Sequence, residues 1–226
     1  MERKFKFSIG EFYHIYSRGN NKSVLFKNNS DKNRFMKLLF ICNSKNPIIF
    51  KEIKNLSLDE IEKTENIVEI GAYCLMPNHF HILIKEKIDG GISLFINKLL
   101  TAYSMYFNKK YERTGKLFEG AFKATHVNND EYLKYLFSYI HLNPLKIVDK
   151  NWRESGINDD KAREYLKNYK YSSYLEYLGE NREEKIIINK DVFPKYFEKS
   201  DDFKNFINEW INFQEFPRGD LGKNNI

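Results

Sequence analysis

The chain has few cysteines and no long apolar run. Cys42 and Cys74 are the two cysteines among 226 residues, and neither belongs to a Cys-x-x-Cys motif. This usage excludes a disulfide framework and a metal site built from thiolates, and it fits a reducing compartment. No run of about eighteen apolar residues occurs, and none follows the charged N-terminus, so we expect a soluble, cytoplasmic protein without a membrane segment.

Positive charge and aromatic side chains are both plentiful. The chain has 37 Lys and Arg against 31 Asp and Glu, which gives a formal net charge of +6. Its 19 Phe and 15 Tyr exceed what a core of this size needs, and spare aromatic rings can stack on bases. The composition therefore favours a polyanionic partner, with nucleic acid as the leading candidate and a membrane surface as the alternative.

Hydrophobic periodicity predicts one main domain of the α/β (α+β) class in residues 1–150. Strands are predicted at residues 11–17, 66–76, 79–86 and 120–127, and helices follow the first and third of them. This order, with an antiparallel pair in the middle, predicts a ferredoxin-like sandwich: a central antiparallel sheet with helices packed on one face and the other face open.

A further helix and a C-terminal extension complete the predicted organisation. The helix covers residues 130–143, is capped by Asn128 or Asn129 and ends before Pro144. An earlier helix is expected to begin at Ser30 or Asp31, and residues 51–65 read as an exposed connection. Residues 151–226 are predicted to form a helical extension, with helices at 169–178 and 203–213 and a disordered tail from residue 217.

Two histidines lie one residue apart at the start of the third predicted strand. Because strand side chains alternate, His79 and His81 point to one face while Phe80 points into the core. Two such imidazoles can share one divalent metal ion, and an ion with open coordination positions could polarise a phosphate. The pattern is short and lacks the spacing of a full zinc site, so histidines without a metal role are the alternative.

A stripe of hydroxyl and amide side chains runs along the helix predicted at residues 130–143. Its members are Tyr132, Tyr135, Tyr139 and Asn143. Tyrosines packed with their hydroxyls at the rim of a core would give the same pattern. If instead Tyr139 faces an ion held by His79 and His81, Asn143 lies one turn away and can supply a neighbouring oxygen ligand.

Basic and amide side chains flank two predicted loops and are candidate DNA-binding residues. Arg18 and Asn20 follow the first strand, and the loop before the fourth strand carries several lysines and an arginine. The full set is Arg18, Asn20, Lys109, Lys110, Arg113, Lys116 and Lys123. Such side chains typically contact phosphates, and a solvated charged loop is the alternative.

Four stretches, taken in order and spacing, resemble one known family. They are residues 13–21, 73–84, 117–123 and 130–144. The chain is similar to the IS200-like transposases, the HUH single-strand endonucleases with one catalytic tyrosine, and especially to their REP-associated tyrosine transposase branch. Residues 172–174 resemble the usual C-terminal extension of that branch.

The resemblance implies a metal-dependent endonuclease and strand transferase that acts on single-stranded DNA at hairpin-flanked sites. It assigns a divalent ion to His79 and His81, with Asn143 as third ligand where related enzymes carry a glutamine. Two imidazoles, an amide oxygen, phosphate and water suit Mg²⁺ or Mn²⁺, whereas zinc usually prefers sulfur or a third imidazole. The resemblance assigns Tyr139 the role of nucleophile, which implies a 5′-phosphotyrosine intermediate and a free 3′-hydroxyl. The implied partner is single-stranded or hairpin DNA, and no membrane is involved. The protein is expected to act as a homodimer or as a monomer.

Two other functions remain open from the sequence. The first is a non-catalytic protein that binds hairpin DNA or RNA on the same fold, using its basic and aromatic residues. The second is a nucleotide hydrolase that uses its histidines on a mononucleotide. The hydrolase is disfavoured because no third alternating histidine follows His81 and no phosphate-binding glycine loop occurs.

Overall fold

A four-stranded antiparallel sheet forms the centre of the computed structural model, which describes residues 6–212. Its strands are β1 (Phe12–Arg18), β2 (Val68–Met76), β3 (His79–Glu86) and β4 (Lys123–Val127). They lie in the order β2-β3-β1-β4, and each neighbouring pair is antiparallel. The predicted fold class is confirmed, because this is the strand order of a ferredoxin-like sandwich.

Nine α-helices occur among the described residues. They are α1 (Asn29–Ile41), α2 (Phe50–Ile53), α3 (Gly91–Lys110), α4 (Asp130–Leu142), α5 (Leu145–Val148), α6 (Trp152–Ser155), α7 (Asp159–Asn168), α8 (Tyr174–Tyr177) and α9 (Ser200–Asn212). Three short 3-10 helices lie at Asn20–Lys22, Glu183–Ile187 and Lys190–Val192. None of these described helices has both the length and the apolar composition needed to cross a membrane.

The residue that caps α1 differs from the predicted one. The side chain of Asn28 accepts a hydrogen bond from the backbone N–H of Asp31, so the helix begins at Asn29 rather than at Ser30 or Asp31. Asn28 has an extended backbone, as an N-cap residue requires. Asp31 is thereby placed in the first turn, with its carboxylate buried.

Helices cover both faces of the sheet. On one face, Phe35 of α1 packs against Phe80 of β3, with ring centroids 5.1 Å apart. On the other, Tyr139 of α4 lies 5.2 Å from the next residue along β3, His81. The predicted helical layer is therefore α1 and α3, and α4 corrects the expectation that the second face is open. The physical reason is that α4 has buried residues around most of its circumference and needs a surface to pack against.

The segment 171–173 runs along the outer edge of β2 instead of forming a helix. Ser172 forms an isolated bridge with Cys74, and the backbone N–H of Leu75 donates to the carbonyl of Tyr171 over 2.9 Å. The predicted helix at 169–178 is therefore wrong apart from the four residues of α8. An edge strand presents unpaired backbone groups, and this segment satisfies several of them.

The connection at residues 51–65 is less exposed than expected. It contains the short helix α2, and the side chains of Leu58 and Ile61 are buried against the core. The predicted helix at 203–213 corresponds to α9, although its last residue lies outside the described range. The predicted disordered tail, from residue 217, also lies outside it, and the division at residue 150 stays a prediction.

His141 links α4 to the C-terminal extension. Its Nε2 lies 2.8 Å from the hydroxyl of Ser173, and its Nδ1 donates to the carbonyl of Phe137. Because Nδ1 is the donor to a carbonyl, Nε2 accepts from the Ser173 hydroxyl. His141 therefore points away from the histidines of β3 and has a structural role.

Arg182 anchors the extension to β2 through a buried network. Its guanidinium donates to the Glu176 carboxylate over 2.8 and 2.9 Å and to the carbonyls of Lys170 and Ser172 over 2.6 and 2.9 Å. It also lies 3.2 Å from the Tyr73 hydroxyl. Glu176 is almost fully buried, so its charge depends on this partner.

The Arg182→Ala substitution is expected to lower the free energy of unfolding by about 3–5 kcal/mol, since it leaves a buried carboxylate unpaired. Urea denaturation of the full chain measures the change. Lys204→Ala is the control, because Lys204 pairs with Asp201 on the surface and its loss should change stability little. Equal effects of the two substitutions would contradict the network's importance.

Candidate active site

The strand register sets a row of side chains across the sheet on the face covered by α4. Tyr16 of β1 pairs with His81 of β3, which pairs with Cys74 of β2, and Lys123 of β4 pairs with Tyr16 from the other side. His79 lies one strand repeat further, opposite Arg18. The rings of the two histidines are 5.0 Å apart between centroids. The register thus brings together residues that lie far apart in the chain.

Asn78 determines which nitrogen of His79 carries the proton. The Nδ2 group of Asn78 donates to the carbonyl of Lys22 over 3.3 Å, so its Oδ1 faces His79 as an acceptor. That Oδ1 lies 2.7 Å from Nδ1 of His79, which is therefore the protonated nitrogen. The lone pair on Nε2 of His79 is left free to bind a cation.

His81 is fully buried and contacts a third histidine that the sequence analysis gave no role. Nδ1 of His81 lies 2.9 Å from Nε2 of His14, with both rings buried. Nε2 of His81 has no hydrogen-bond partner among the described residues. A buried imidazole nitrogen without a partner is unusual and indicates a ligand or water at that position.

The histidines of the site are neutral at physiological pH. Burial, followed by the nearby charges of Lys146 and Arg18, lowers the pKa of His79 to about 3. Burial also lowers the pKa of His14 to about 3 and holds that of His81 well below its usual value. Neutral imidazoles are the form that binds a metal, so the site needs no deprotonation to accept an ion.

Tyr139 lies beside these histidines on α4. Its ring is 5.2 Å from that of His81 and 6.0 Å from that of His14, measured between centroids. Burial raises its pKa to about 12, and the neighbouring Asn143 amide acts in the opposite direction. The hydroxyl is therefore protonated at neutral pH and has to lose its proton in any reaction in which it is the nucleophile.

The residues around Tyr139 fit a small divalent cation. Asn143 is buried, and neither its Oδ1 nor its Nδ2 makes a hydrogen bond of ordinary geometry within the described chain. Nε2 of His81 is likewise unpartnered, and Nε2 of His79 carries a free lone pair. No group of three or more His, Cys, Asp or Glu arranged as a metal site occurs in residues 6–212. Two imidazoles and one amide oxygen would leave the other positions to water and substrate.

Two cations near Tyr139 were missed by the sequence analysis. Nζ of Lys146 lies 5.3 Å from the centre of the Tyr139 ring, and the guanidinium of Arg153 lies 6.0 Å from it. Lys146 is half-buried and has no acidic partner within the described residues. Its position in the Asn-Pro-Leu-Lys segment, one turn after Asn143, is the signal that could have identified it.

Arg18 and Lys123, two of the predicted DNA-binding residues, lie at the edge of the site. Arg18 forms an ion pair with Glu119 at 3.0 Å, and Lys123 is exposed near the ring of Tyr16. Asn20 is exposed in the 3-10 helix that follows β1. The contact of these residues with DNA stays a prediction.

The remaining predicted DNA-binding residues lie around the end of α3, on the opposite face of the sheet from α4. Lys109 and Lys116 are exposed, and Arg113 lies against Asn108 at 3.4 Å. Lys110 pairs with the buried carboxylate of Asp31 at 2.6 Å. Its ammonium is therefore committed to a structural ion pair, which disfavours it as a phosphate ligand.

Asp31→Asn is expected to lower the free energy of unfolding at pH 7 by about 2 kcal/mol, through loss of charged hydrogen bonds. Burial raises the pKa of Asp31, but hydrogen bonds from Lys110, Tyr111 and Tyr106 outweigh it and leave the pKa below its usual value. The carboxylate's contribution is therefore complete above the unfolded pKa, near 3.8, and is lost as the pH falls through the folded one.

Urea denaturation at neutral and acidic pH tests this sign. The difference between Asp31→Asn and wild type should shrink as the pH falls below about 4, because the wild-type carboxyl is then protonated as well. Asp59→Asn, at an exposed position, is the control and should change stability little at neutral pH. A difference that is the same at both pH values would contradict the ionised pair.

Together these features define a ferredoxin-like sheet in which a His-Phe-His strand faces a helix that carries a tyrosine and an asparagine. Residues 13–143 match the family model described as "Transposase IS200 like", and this match spans more than half of the chain. The chain belongs to the IS200-like transposase family, and it is a transposase, a DNA-processing enzyme.

A solved structure matches the chain at low sequence identity. It is described as "Structure of the REP associates tyrosine transposase bound to a REP hairpin", and it is 14% identical. The alignment covers 88% of this chain and 95% of that one, with a TM-score of 0.47. No curated protein sequence matches the chain.

Proposed function

We propose that the protein cleaves and rejoins single-stranded DNA with Tyr139 as nucleophile and a divalent metal ion as electrophile. The observation that carries this proposal is the packing of the Tyr139 ring against His81, whose buried Nε2 has no partner in the described chain. A structural tyrosine at a core rim would not account for an unpartnered imidazole nitrogen beside an unpartnered amide.

His79, His81 and Asn143 are the residues that would hold the ion, and Mg²⁺ or Mn²⁺ suits a set completed by phosphate and water oxygens. When bound, the ion would polarise the scissile phosphate and neutralise charge that develops on it. The three residues provide two neutral imidazole nitrogens and one amide oxygen as electron-pair donors to the ion. Asn78 contributes by fixing the tautomer of His79.

Tyr139 would attack the scissile phosphorus through its phenolic oxygen. The hydroxyl loses its proton during attack, the new bond is a 5′-phosphotyrosine ester, and the bond to the 3′-oxygen breaks. The leaving oxygen takes up a proton and becomes a 3′-hydroxyl. One ester replaces another, so a second 3′-hydroxyl can reverse the step and join strands without ATP.

The proposed substrate is single-stranded DNA with a hairpin beside the cleavage site. The four stretches that resemble the REP-associated branch support this choice. Arg18 and Lys123 lie at the margin of the site, where they can contact the backbone on either side of the scissile phosphate. The buried position of His81 means that the strand approaches along this margin instead of crossing an open sheet.

Labelled hairpins test the proposal. Single strands carrying a hairpin and a short flank, labelled at the 5′ or the 3′ end, are incubated with the full chain and Mn²⁺ and analysed on a denaturing protein gel. We expect the 3′-labelled fragment to remain on the protein and the 5′-labelled fragment to be released. Tight binding without an adduct on any of several hairpins would overturn the proposal in favour of a binding protein.

Lys146→Ala is expected to reduce the single-turnover cleavage rate by about 100-fold, because a preorganised cation beside a developing charge contributes roughly this much. Hairpin affinity should change little, since a single phosphate contact is a small part of it. Lys150→Ala, at an exposed position further along the chain, is the control. An unchanged rate for Lys146→Ala would remove this residue from the mechanism.

A further inference from the structure

His14 is a buried residue that contacts His81, a proposed metal ligand. The nitrogen of His14 that makes this contact cannot also bind the ion. Nε2 of His14 lies 2.9 Å from Nδ1 of His81, and both rings are fully enclosed. The register places it diagonally from His81, since Tyr16 is the direct partner of His81 on β1. The contact therefore follows from the strand pairing and not from a flexible side chain.

One hydrogen atom is shared in this contact, and it has two positions. Either Nδ1 of His81 donates to Nε2 of His14, or Nε2 of His14 donates to Nδ1 of His81. Each neutral ring carries a single N–H proton. In the first arrangement that of His14 lies on its Nδ1, and in the second arrangement that of His81 lies on its Nε2. Both of these nitrogens are buried without a partner in the described chain, so each arrangement leaves one N–H unsatisfied.

Only the first arrangement is compatible with a metal at His81. A cation binds the imidazole lone pair, and Nε2 of His81 has a free lone pair only when its proton lies on Nδ1. That proton requires an acceptor, and His14 is the hydrogen-bond partner that the described structure provides. Asn78 plays the corresponding part for His79, where the acceptor is an amide oxygen.

We propose that His14 is a positioning residue that accepts a hydrogen bond from Nδ1 of His81 and so holds His81 in its metal-binding tautomer. This rests on the proposed metal site. Because the acceptor is itself a histidine, ion binding also fixes the tautomer of His14, which does not touch the ion. Nδ1 of His81 and Nε2 of His14 alternate as donor and acceptor between the two arrangements. Their protonation states therefore give a readout that does not depend on DNA cleavage.

Imidazole ¹⁵N NMR on the full chain tests this directly, and the chain has only five histidines to assign. Spectra are recorded without and with saturating Mg²⁺, which is diamagnetic. With Mg²⁺ we expect a protonated Nδ1 and an unprotonated Nε2 at His81, together with an unprotonated Nε2 at His14. A protonated Nε2 at His14 in the Mg²⁺-bound protein would overturn the proposal.

Calorimetric Mg²⁺ titration of variants gives the second measurement. His14→Phe, which keeps a ring but has no acceptor, should lose about 10- to 100-fold in Mg²⁺ affinity, as outer-shell partners of metal ligands typically do. His14→Gln keeps an acceptor oxygen and should retain most of the affinity. His126→Phe, a surface histidine paired with Glu11, should bind as wild type does.

The outcomes separate this proposal from the proposed function. Wild-type Mg²⁺ affinity in a His14→Phe protein with a folded NMR spectrum would overturn the role of His14 and leave the metal site intact. If His14→Phe does not fold, the tautomers of the wild-type protein and the affinity of His14→Gln decide. A wild type that binds no Mg²⁺ would overturn the metal site and this proposal together, whatever the hairpin assay shows.

Discussion

Tyr139→Phe is expected to abolish the covalent protein–DNA adduct and to reduce hairpin cleavage by at least about 10⁴-fold, as loss of a nucleophile typically does. The substitution removes only the hydroxyl, so the ring that packs against His81 is kept. Denaturing gels with 3′-labelled hairpins measure the adduct, and single-turnover kinetics measure the residual rate. Binding of the hairpin should persist, because the basic margin of the site is unchanged.

Tyr135→Phe is the matched control for this substitution. Tyr135 lies in the same stripe of α4, with its ring 5.9 Å from that of Tyr139, and its ring also packs on Trp210 of α9. Tyr135 also contacts the ring of Tyr132, whereas Tyr139 contacts the rings of His14 and His81. Tyr135→Phe should therefore retain the adduct. An adduct that survives Tyr139→Phe and disappears in Tyr135→Phe would show that the nucleophile is Tyr135, one turn earlier on α4.

Removal of the metal ion is expected to have the second-largest effect. A chelator, or the substitution His81→Ala, should reduce cleavage by about 10³-fold, since a bound ion contributes several kcal/mol of charge stabilisation to the transition state. His81→Ala removes a proposed metal ligand, which lies fully buried beside Tyr139. Cleavage should return when Mn²⁺ is added in excess over the chelator, and binding of the hairpin should change much less.

His126→Ala is the control for the ligand substitution. His126 lies on β4 and pairs with Glu11 at the surface, away from His81. Its replacement should leave cleavage and its metal dependence unchanged. Full cleavage by the wild type in a chelator, or by His81→Ala without added ion, would contradict a metal-assisted mechanism.

Much of the fold follows from local patterns in the sequence. The alternation around Phe80 and the Pro77–Asn78 turn define the hairpin of β2 and β3, and they place both histidines on one face. Asn129 caps α4 with its side chain accepting from the backbone of Tyr132, as the sequence suggests. These features depend on residues close together in the chain, where periodicity and capping preferences act.

The contents of the second face could not be predicted in the same way. Periodicity shows that a helix has an apolar stripe but not which side of a sheet it packs on, so the pattern alone left open whether α4 lies on the face of His81. The edge of β2 is covered by residues 171–173, although the amphipathic spacing of residues 169–178 favours a helix there. Tertiary hydrogen bonds to Leu75 and Tyr73 override that preference.

The site was predicted only where its residues are near each other in sequence. His79 and His81, and Tyr139 and Asn143, are each linked by a strand or helix repeat. His14 and Arg153 reach the site through strand pairing and the packing of α6, and neither has a local pattern that indicates this. Lys110 shows the reverse case, because a charge that looked available for DNA is committed to the buried Asp31.

Peptide mapping of the covalent adduct tests the central claim most directly. The wild-type protein is incubated with a hairpin single strand and Mn²⁺, the adduct is digested with protease and nuclease, and the modified peptide is identified by mass spectrometry. We expect a nucleotide attached through its 5′-phosphate to the hydroxyl of Tyr139. A nucleotide on Tyr132, Tyr135 or any other residue, or cleaved DNA with no modified peptide, would contradict this claim.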